Sequence, residues 1–279
     1  MEILSKTIPV AMFVFVVSSM LAVGLSLSVG QIIAPLRNAR LVTLALLVNF
    51  VLMPLCALAI ARLLHLDQPL GVALLILGTA AGAPFLPKLA EIAKGNLAFA
   101  VGLMVLLMVL TVGYMPLVLP LLLEGVSVDP LKIARSLLFL MMLPLAAGLI
   151  FKSRYESMAA RGVPVLGKVS TLSLALLMVL MLATNIQNII NLFGTRGVLA
   201  SVLFLVVGSG MGWFLGGPGR DTKGVLALGS AQRNIAASLL VGGQNFDDPR
   251  VLVMVVVVAV VGFLVLIPLA RGLAKRSSG

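Results

Sequence analysis

Gly224–Gly243 reads GVLALGSAQRNIAASLLVGG. It has the length and apolar character of a membrane-spanning helix, for which about 20 residues suffice. Yet Gln232, Arg233 and Asn234 stand at its centre. A charge at mid-bilayer costs about 2.5–3.5 kcal/mol on insertion scales, and such residues face a bundle interior or a water-filled cavity. Gly229 and Ser230 are weak helix formers just before the polar triplet, so the pattern predicts a helix over 222–243 broken near 229–234. In the first half, Leu75–Asn96 reads LILGTAAGAPFLPKLAEIAKGN, with Gly82, Pro84 and Pro87 followed at once by Lys88. Two interrupted hydrophobic segments, one per half, are the mark of a secondary transporter's binding site.

The rest of the chain fits a membrane setting. Of its 279 residues 61% are hydrophobic and 10% charged, with a mean hydropathy of +1.20. Soluble domains are about 25% charged, so the fold class is an all-α polytopic membrane protein. Nine spans are expected, over 8–28, 39–64, 69–94 (broken near 82–87), 96–123, 131–151, 163–193, 195–217, 222–243 and 250–272, in a single membrane domain. The apolar run from Ile8 follows Lys6 as in a signal peptide, but it is long enough to span and is read as a helix. The formal charge of +11 is scattered through loops, so the lipid bilayer and no nucleic acid is the expected partner. Cys56 is the only cysteine and His65 the only histidine, which removes internal disulfides and Cys/His metal sites.

Charge sets an expected orientation in the cell membrane. Loops after odd-numbered spans, with the C-terminus, carry Arg37, Arg40, Lys94, Lys152, Arg154, Arg161, Lys168, Arg220, Lys223, Arg271, Lys275 and Arg276. The other side has Lys6, Arg62, Lys132, Arg135, Arg196 and Arg250, with Glu2, Asp67, Glu124, Asp129, Asp247 and Asp248 beside them. The positive-inside rule places the N-terminus outside and the C-terminus in the cytoplasm. Of the 20 basic residues only Lys88 and Arg233 are left over, and both fall in the broken segments.

A half-helix starting near Pro84 would leave the amides of Phe85 and Leu86 free beside Lys88, an anion-binding arrangement. Ser230, Gln232, Arg233 and Asn234 could clamp a carboxylate or phosphate from the second break. The alternative for Lys88 is a surface position supported by Glu91, and for Arg233 a structural bond to backbone carbonyls. Asn49, in LVNFVLMP, is either a site residue or an interhelical hydrogen bond. Thr184, Asn185, Gln187, Asn188 and Asn191 read as interfacial, and Ser18 and Ser19 as packing.

ALGSAQRNIAASLLVG, AKGNLAFAVGL and LVNFVLMP, with SSMLAVGLSLSV in the first helix, resemble the bile acid:sodium symporter family. The resemblance is to its nine-helix form. It implies inverted repeats, a panel domain (about 8–28 and 131–193) and a core domain (about 39–124 and 195–272) with two crossing broken helices. It also implies an organic anion carried by alternating access. The chain departs from the family where sodium would bind. The family's acidic ligand falls on Ala227, a Gln ligand on Ala231, a Ser and a Thr on Ala100 and Met104, and a further Gln on Asn49. Sodium is a hard cation that takes oxygen ligands. The expectation is that Lys88 and Arg233 replace it, giving sodium-independent carriage of an organic anion.

The expected substrate-binding set is therefore Lys88, Arg233, Gln232, Asn234, Ser230, Phe85 and Asn49, with no cofactor or metal. A proton coupled through Lys88 is a variant, since a buried lysine shifts its pKa readily. The alternatives are family-type sodium symport and a cation/proton antiporter. The latter needs a membrane carboxylate, for which Glu91 is the sole near candidate. No nucleophile–base pair or carboxylate dyad points to an enzyme. The sequence sets no oligomeric state.

Overall fold

The computed structural model describes residues 2–33, 37–123, 128–194 and 196–277, and their side chains except at 2–6, 188–194 and 276–277. Pro35, the side chains of Glu2, Lys6, Glu124 and Arg276, and those of Asn188 and Asn191 in the polar cluster thus lie outside the described residues. All the regular structure described is helical. Seven helices are long and apolar enough to cross a membrane: Thr7–Ser26, Ala39–Leu63, Leu97–Leu122, Pro130–Arg154, Glu156–Gln187, Gly197–Leu215 and Pro249–Lys275. Two further segments are each split into a pair of short helices. The chain is a multi-pass membrane protein.

In chain order, α1 is Glu2–Ser26 and α2 is Val29–Ile33. The next span is α3 (Ala39–Leu47), a π turn at Val48–Leu52, and α4 (Met53–Leu63). The first split pair is α5 (Gln68–Thr79) and α6 (Leu86–Ile92), followed by α7 (Leu97–Leu122). Then come α8 (Pro130–Leu137), a π turn at Leu138–Met142, and α9 (Leu143–Arg154). α10 is Glu156–Gly194 and α11 is Gly197–Leu215. The second split pair is α12 (Arg220–Ala231) and α13 (Ile235–Asn245), and α14 is Pro249–Ser277. α10 begins seven residues before the expected start at 163. Pro164 is tolerated inside it because Ala160, whose carbonyl it leaves unpaired, is exposed.

Local chemistry explains the punctuation. Asn38, Asn96 and Asp129 accept hydrogen bonds from Leu41 N, Phe99 N and Leu131 N, capping α3, α7 and α8. Asp248 accepts from Arg250 N at 2.9 Å and starts α14. Side-chain hydrogen bonds from Arg250 hold its carboxyl below the usual range. Both π turns lie just before a proline, Pro54 or Pro144. Pro54 has no N–H to give Phe50, and the freed Phe50 carbonyl accepts the Tyr114 hydroxyl of α7 instead.

α1 lies along α9 and α10, and α11 along α12. The α1–α9 contact is set by Gly24 and Gly148: a Cβ at Gly24 would meet Leu145 O at 2.3 Å. Such close approach of small residues drives helix association in lipid, where expelling water contributes little.

The breaks differ from the sequence expectation by a few residues. The first runs over 80–85, where 82–87 was expected. Ala80 N–H still closes onto Ile76 O, after which Ala81 is held on both its polar groups by Thr111 of α7: Ala81 N donates to Oγ1 at 3.1 Å and Oγ1 donates to Ala81 O at 3.2 Å. Gly82 has φ +80°, and a Cβ there would lie 2.2 Å from Met108 N. The second break covers 232–234, because Gln232 N–H still bonds Leu228 O and keeps Gly229 and Ser230 helical. Gly229 instead makes room for Leu86, which a Cβ would approach to 2.9 Å.

Gly82→Ala should lower stability by about 2 kcal/mol or more, from left-handed strain plus the clash with α7. Gly113→Ala, on the same α7 but with no atom within 4 Å, should be neutral or gain up to ~1 kcal/mol. Thr111→Val should lose about 1–3 kcal/mol by stranding the Ala81 amide and carbonyl, with Thr111→Ser recovering most of it. Thermal unfolding of the purified protein in one detergent checks all four variants.

Candidate functional site

The two breaks cross, and residues of the second satisfy the backbone of the first. A helix ends with four carbonyls that have no partner inside it. At the end of α5, Arg233 donates through Nε to Leu77 O at 2.8 Å, which otherwise accepts only the Ala80 N–H at 3.2 Å, and through Nη2 to Gly78 O at 2.7 Å. Its Nη1 donates to Ser230 O at the end of α12, 3.2 Å away, and to Asn49 Oδ1 at 2.8 Å. Asn234 completes the crossing. Its N–H donates to Ala80 O at 2.9 Å and its Nδ2 to Gly82 O at 3.1 Å, while Oδ1 accepts from Ala237 N and caps α13.

Arg233 is only 2% exposed. Desolvating such a charge costs several kcal/mol. Four hydrogen bonds to a charged group, at about 1.5–3 kcal/mol each, are of the same order or larger, so the residue is tolerated. The ends of α5 and α12 also bring the negative poles of two helix dipoles onto it. Asn49 is placed by the π turn, donates to Ala45 O at 2.9 Å and to Ser230 Oγ at 3.4 Å, and is fully buried.

Beside the crossing lies a cavity of about 360 Å³. Its wall comes from both breaks (Ala83, Pro84, Phe85, Gln232, Arg233), from Phe15 and Ser19 of α1, from Ser170, Thr171 and Leu174 of α10, and from Ala259 and Phe263 of α14. Phe85 and Phe263 meet edge to face, 5.2 Å between centroids. A cavity of about 460 Å³ between α11 and α14 is larger but takes nothing from the 80–85 or 232–234 breaks, so the first is the candidate site.

The structure brings Arg233, Gln232, Asn234, Ser230, Phe85 and Asn49 together at the crossing. Of these, Arg233, Gln232 and Phe85 line the cavity; Ser230, Asn234 and Asn49 lie behind it, fully buried. Lys88 does not join them. It stands on α6 with its side chain 58% exposed and paired to Glu91 at 2.8 Å, the surface arrangement weighed above. The expected start of the half-helix at Pro84 is also corrected: α6 begins at Leu86, whose N–H donates to Ala83 O at 3.0 Å and is not free. Thr184, Asn185 and Gln187 take no part in the cavity wall. Ser19, read as packing, does line it, as do Ser170 and Thr171. Thr111 and Tyr114 were missed, though a lone Thr and Tyr in the apolar run of α7 were the available signal.

The positions that matter for a cation are also fixed. Ala227 and Ala231 are buried in α12, and Ala100 and Met104 in α7. Leu77 O, Gly78 O, Ser230 O and Asn49 Oδ1 all accept from one guanidinium. Among the described residues no group of three or more His, Cys, Asp or Glu side chains could hold a metal ion. None of the ion pairs found among them includes Arg233.

The model of the sodium bile acid symporter family matches residues 11–192, more than half of the chain, and ends before α12 and the second break. Similar proteins include the uncharacterised sodium-dependent transporter YocS of Bacillus subtilis (strain 168), 26% identical over 202 residues, covering 71% of this chain and 60% of the relative. The probable sodium/metabolite cotransporter BASS1, chloroplastic, of Arabidopsis thaliana is 24% identical over 235 residues, 83% of this chain and 58% of the relative. The probable sodium/metabolite cotransporter BASS2, chloroplastic, of Oryza sativa subsp. japonica is 23% identical over 238 residues, 84% of this chain and 57% of the relative. The chain thus spans about six-tenths of the length of the curated relatives it matches. With the family match spanning most of α1 to α10, the first break included, the chain belongs to the sodium bile acid symporter family.

Proposed function

We propose that this protein is a secondary transporter of an organic anion of the carboxylate class, working by alternating access without sodium at the crossed breaks. In this reading α1 and α8–α10 form the panel, and the segments carrying the breaks form the core that moves against it. The cavity between α1, α10 and the breaks is the substrate site. The N-terminus lies outside and the C-terminus in the cytoplasm of the cell membrane, as the charge distribution favours.

The observation that carries this proposal is the position of Arg233. Its guanidinium donates to backbone oxygens at the ends of α5 and α12 and to the Asn49 amide oxygen, at 2.7–3.2 Å, and so holds oxygens that could otherwise face a cation. A second positive charge among those oxygens would be repelled at close range in a low-dielectric setting. The same fixed charge, next to a cavity with no partner carboxylate, favours an anionic substrate. Hydroxyls of Ser19, Ser170 and Thr171 and the Gln232 amide supply neutral donors, and Phe15, Phe85 and Phe263 accept a hydrocarbon body. Lys88 is assigned neither a substrate contact nor a proton relay, because it is exposed and paired outside the cavity. An antiporter finds no support here, since Glu91 belongs to that same exposed pair. Sodium symport is the second reading, and the names of the relatives favour it.

Thermal unfolding of the purified protein with benzoate, octanoate or cholate, in sodium or choline buffers of equal ionic strength, separates the two. A ligand at a hundredfold its dissociation constant stabilises by about 2.7 kcal/mol. The expected result is stabilisation by at least one carboxylate, equal in both buffers and retained in Lys88→Ala. Stabilisation only in sodium would establish the second reading. In Arg233→Gln the freed oxygens should bind a cation weakly, so that its unfolding temperature becomes sodium-dependent while that of the wild type does not.

A further inference from the structure

The charge at the crossing has a property that a bound ion lacks: it is covalently attached. Two helix C-termini, of α5 and α12, and two N-termini, of α6 and α13, meet there. These termini bring partial charges of both signs but no formal charge. The net charge that remains is the full positive charge of Arg233. Every partner of its guanidinium is a neutral oxygen, and none of the ion pairs among the described residues includes it. Arg233 also lines the cavity.

In a carrier coupled to a mobile cation, the ion leaves with the substrate. Here the cation stays behind when the anion leaves. The empty core then has to pass through its closed, water-poor state with one uncancelled charge, whereas the core loaded with a monovalent anion passes through it neutral. We infer that this protein is an obligate anion exchanger: Arg233, tethered at the crossing, blocks return of the empty carrier, so that inward movement of one monocarboxylate requires outward movement of another. The inference rests on the anion-carrier reading above. No net charge moves in a one-for-one exchange of monovalent anions, so the exchange is indifferent to membrane potential as well as to sodium.

Proteoliposomes test this with radiolabelled benzoate, octanoate and cholate, each used separately. Uptake is measured into vesicles preloaded with the same unlabelled anion and into vesicles holding zwitterionic buffer alone. The cost of a charge at membrane depth corresponds to more than about tenfold in rate, so preloading should speed uptake by at least that factor. A potassium diffusion potential of either sign, or replacement of sodium by choline, should leave the preloaded rate unchanged. Arg233→Gln should bring the ratio of preloaded to empty rates close to one. Equal uptake into empty vesicles, driven by membrane potential, would overturn the exchange mechanism and leave the anion-carrier reading in place. Uptake that requires an inward sodium gradient would overturn both. Absence of uptake and of thermal stabilisation with all three probes would remove the carboxylate reading and the exchange with it. An Arg233→Gln protein that is folded and still needs preloading would show that the charge at this position is not the cause.

Discussion

The unpaired carbonyls at the end of α5 are the constraint on which the middle of this protein depends. A helix that stops inside a membrane exposes backbone oxygens where no water reaches them, and each unsatisfied group costs several kcal/mol. They must be paired from elsewhere in the chain. The second break supplies the donors: the Arg233 guanidinium for Leu77 and Gly78, and the Asn234 amides for Ala80 and Gly82. Each interrupted helix therefore makes the other possible. Thr111 does the same for Ala81 from a third direction, and the lack of a Cβ at Gly82 lets the loop reach α7 closely enough for that bond to form.

The same arrangement decides the electrostatics. Carbonyl oxygens at converging helix ends attract any cation, mobile or fixed. A guanidinium has the advantage of reach: its planar fork serves oxygens on three elements at once, which an ammonium does not match. The proline-induced π turn adds Asn49 to this set by rotating it inward, so a residue whose role looked optional becomes the fourth acceptor. Once the oxygens are committed in this way, the buried alanines at 227 and 231 need no polar replacement.

The candidate cavity takes its character from the other side of the crossing. Its aromatic residues come from α1, the first break and α14, and its hydroxyls sit on α1 and α10, which pack directly against one another. A cavity shared between two groups of helices is what an alternating-access motion would open and close. It is also why no single stretch of the chain announces the site: Ser19 and Ser170 are more than a hundred residues apart and unremarkable locally.

The sequence by itself determined the membrane setting, the two interrupted helices and the isolation of Arg233, because hydropathy, helix-breaking residues and mid-helix charge are local properties that need no partner to be read. The starts expected at 39, 96 and 131 lie within one residue of those of α3, α7 and α8, because turn residues in the loops are also local signals. The tertiary structure alone decided which of two equivalent-looking cations mattered. Lys88 and Arg233 both stand beside a break, but α6 turns the lysine outward to Glu91, while the crossing turns the arginine inward onto backbone oxygens more than 150 residues away. The exact breaks were likewise beyond the sequence. Gly229 and Ser230 stay helical because Gln232 still bonds Leu228, and the glycine's lack of a side chain serves the packing of Leu86 instead. Propensity measures what a residue permits; which permission is used depends on the neighbour that fills the space.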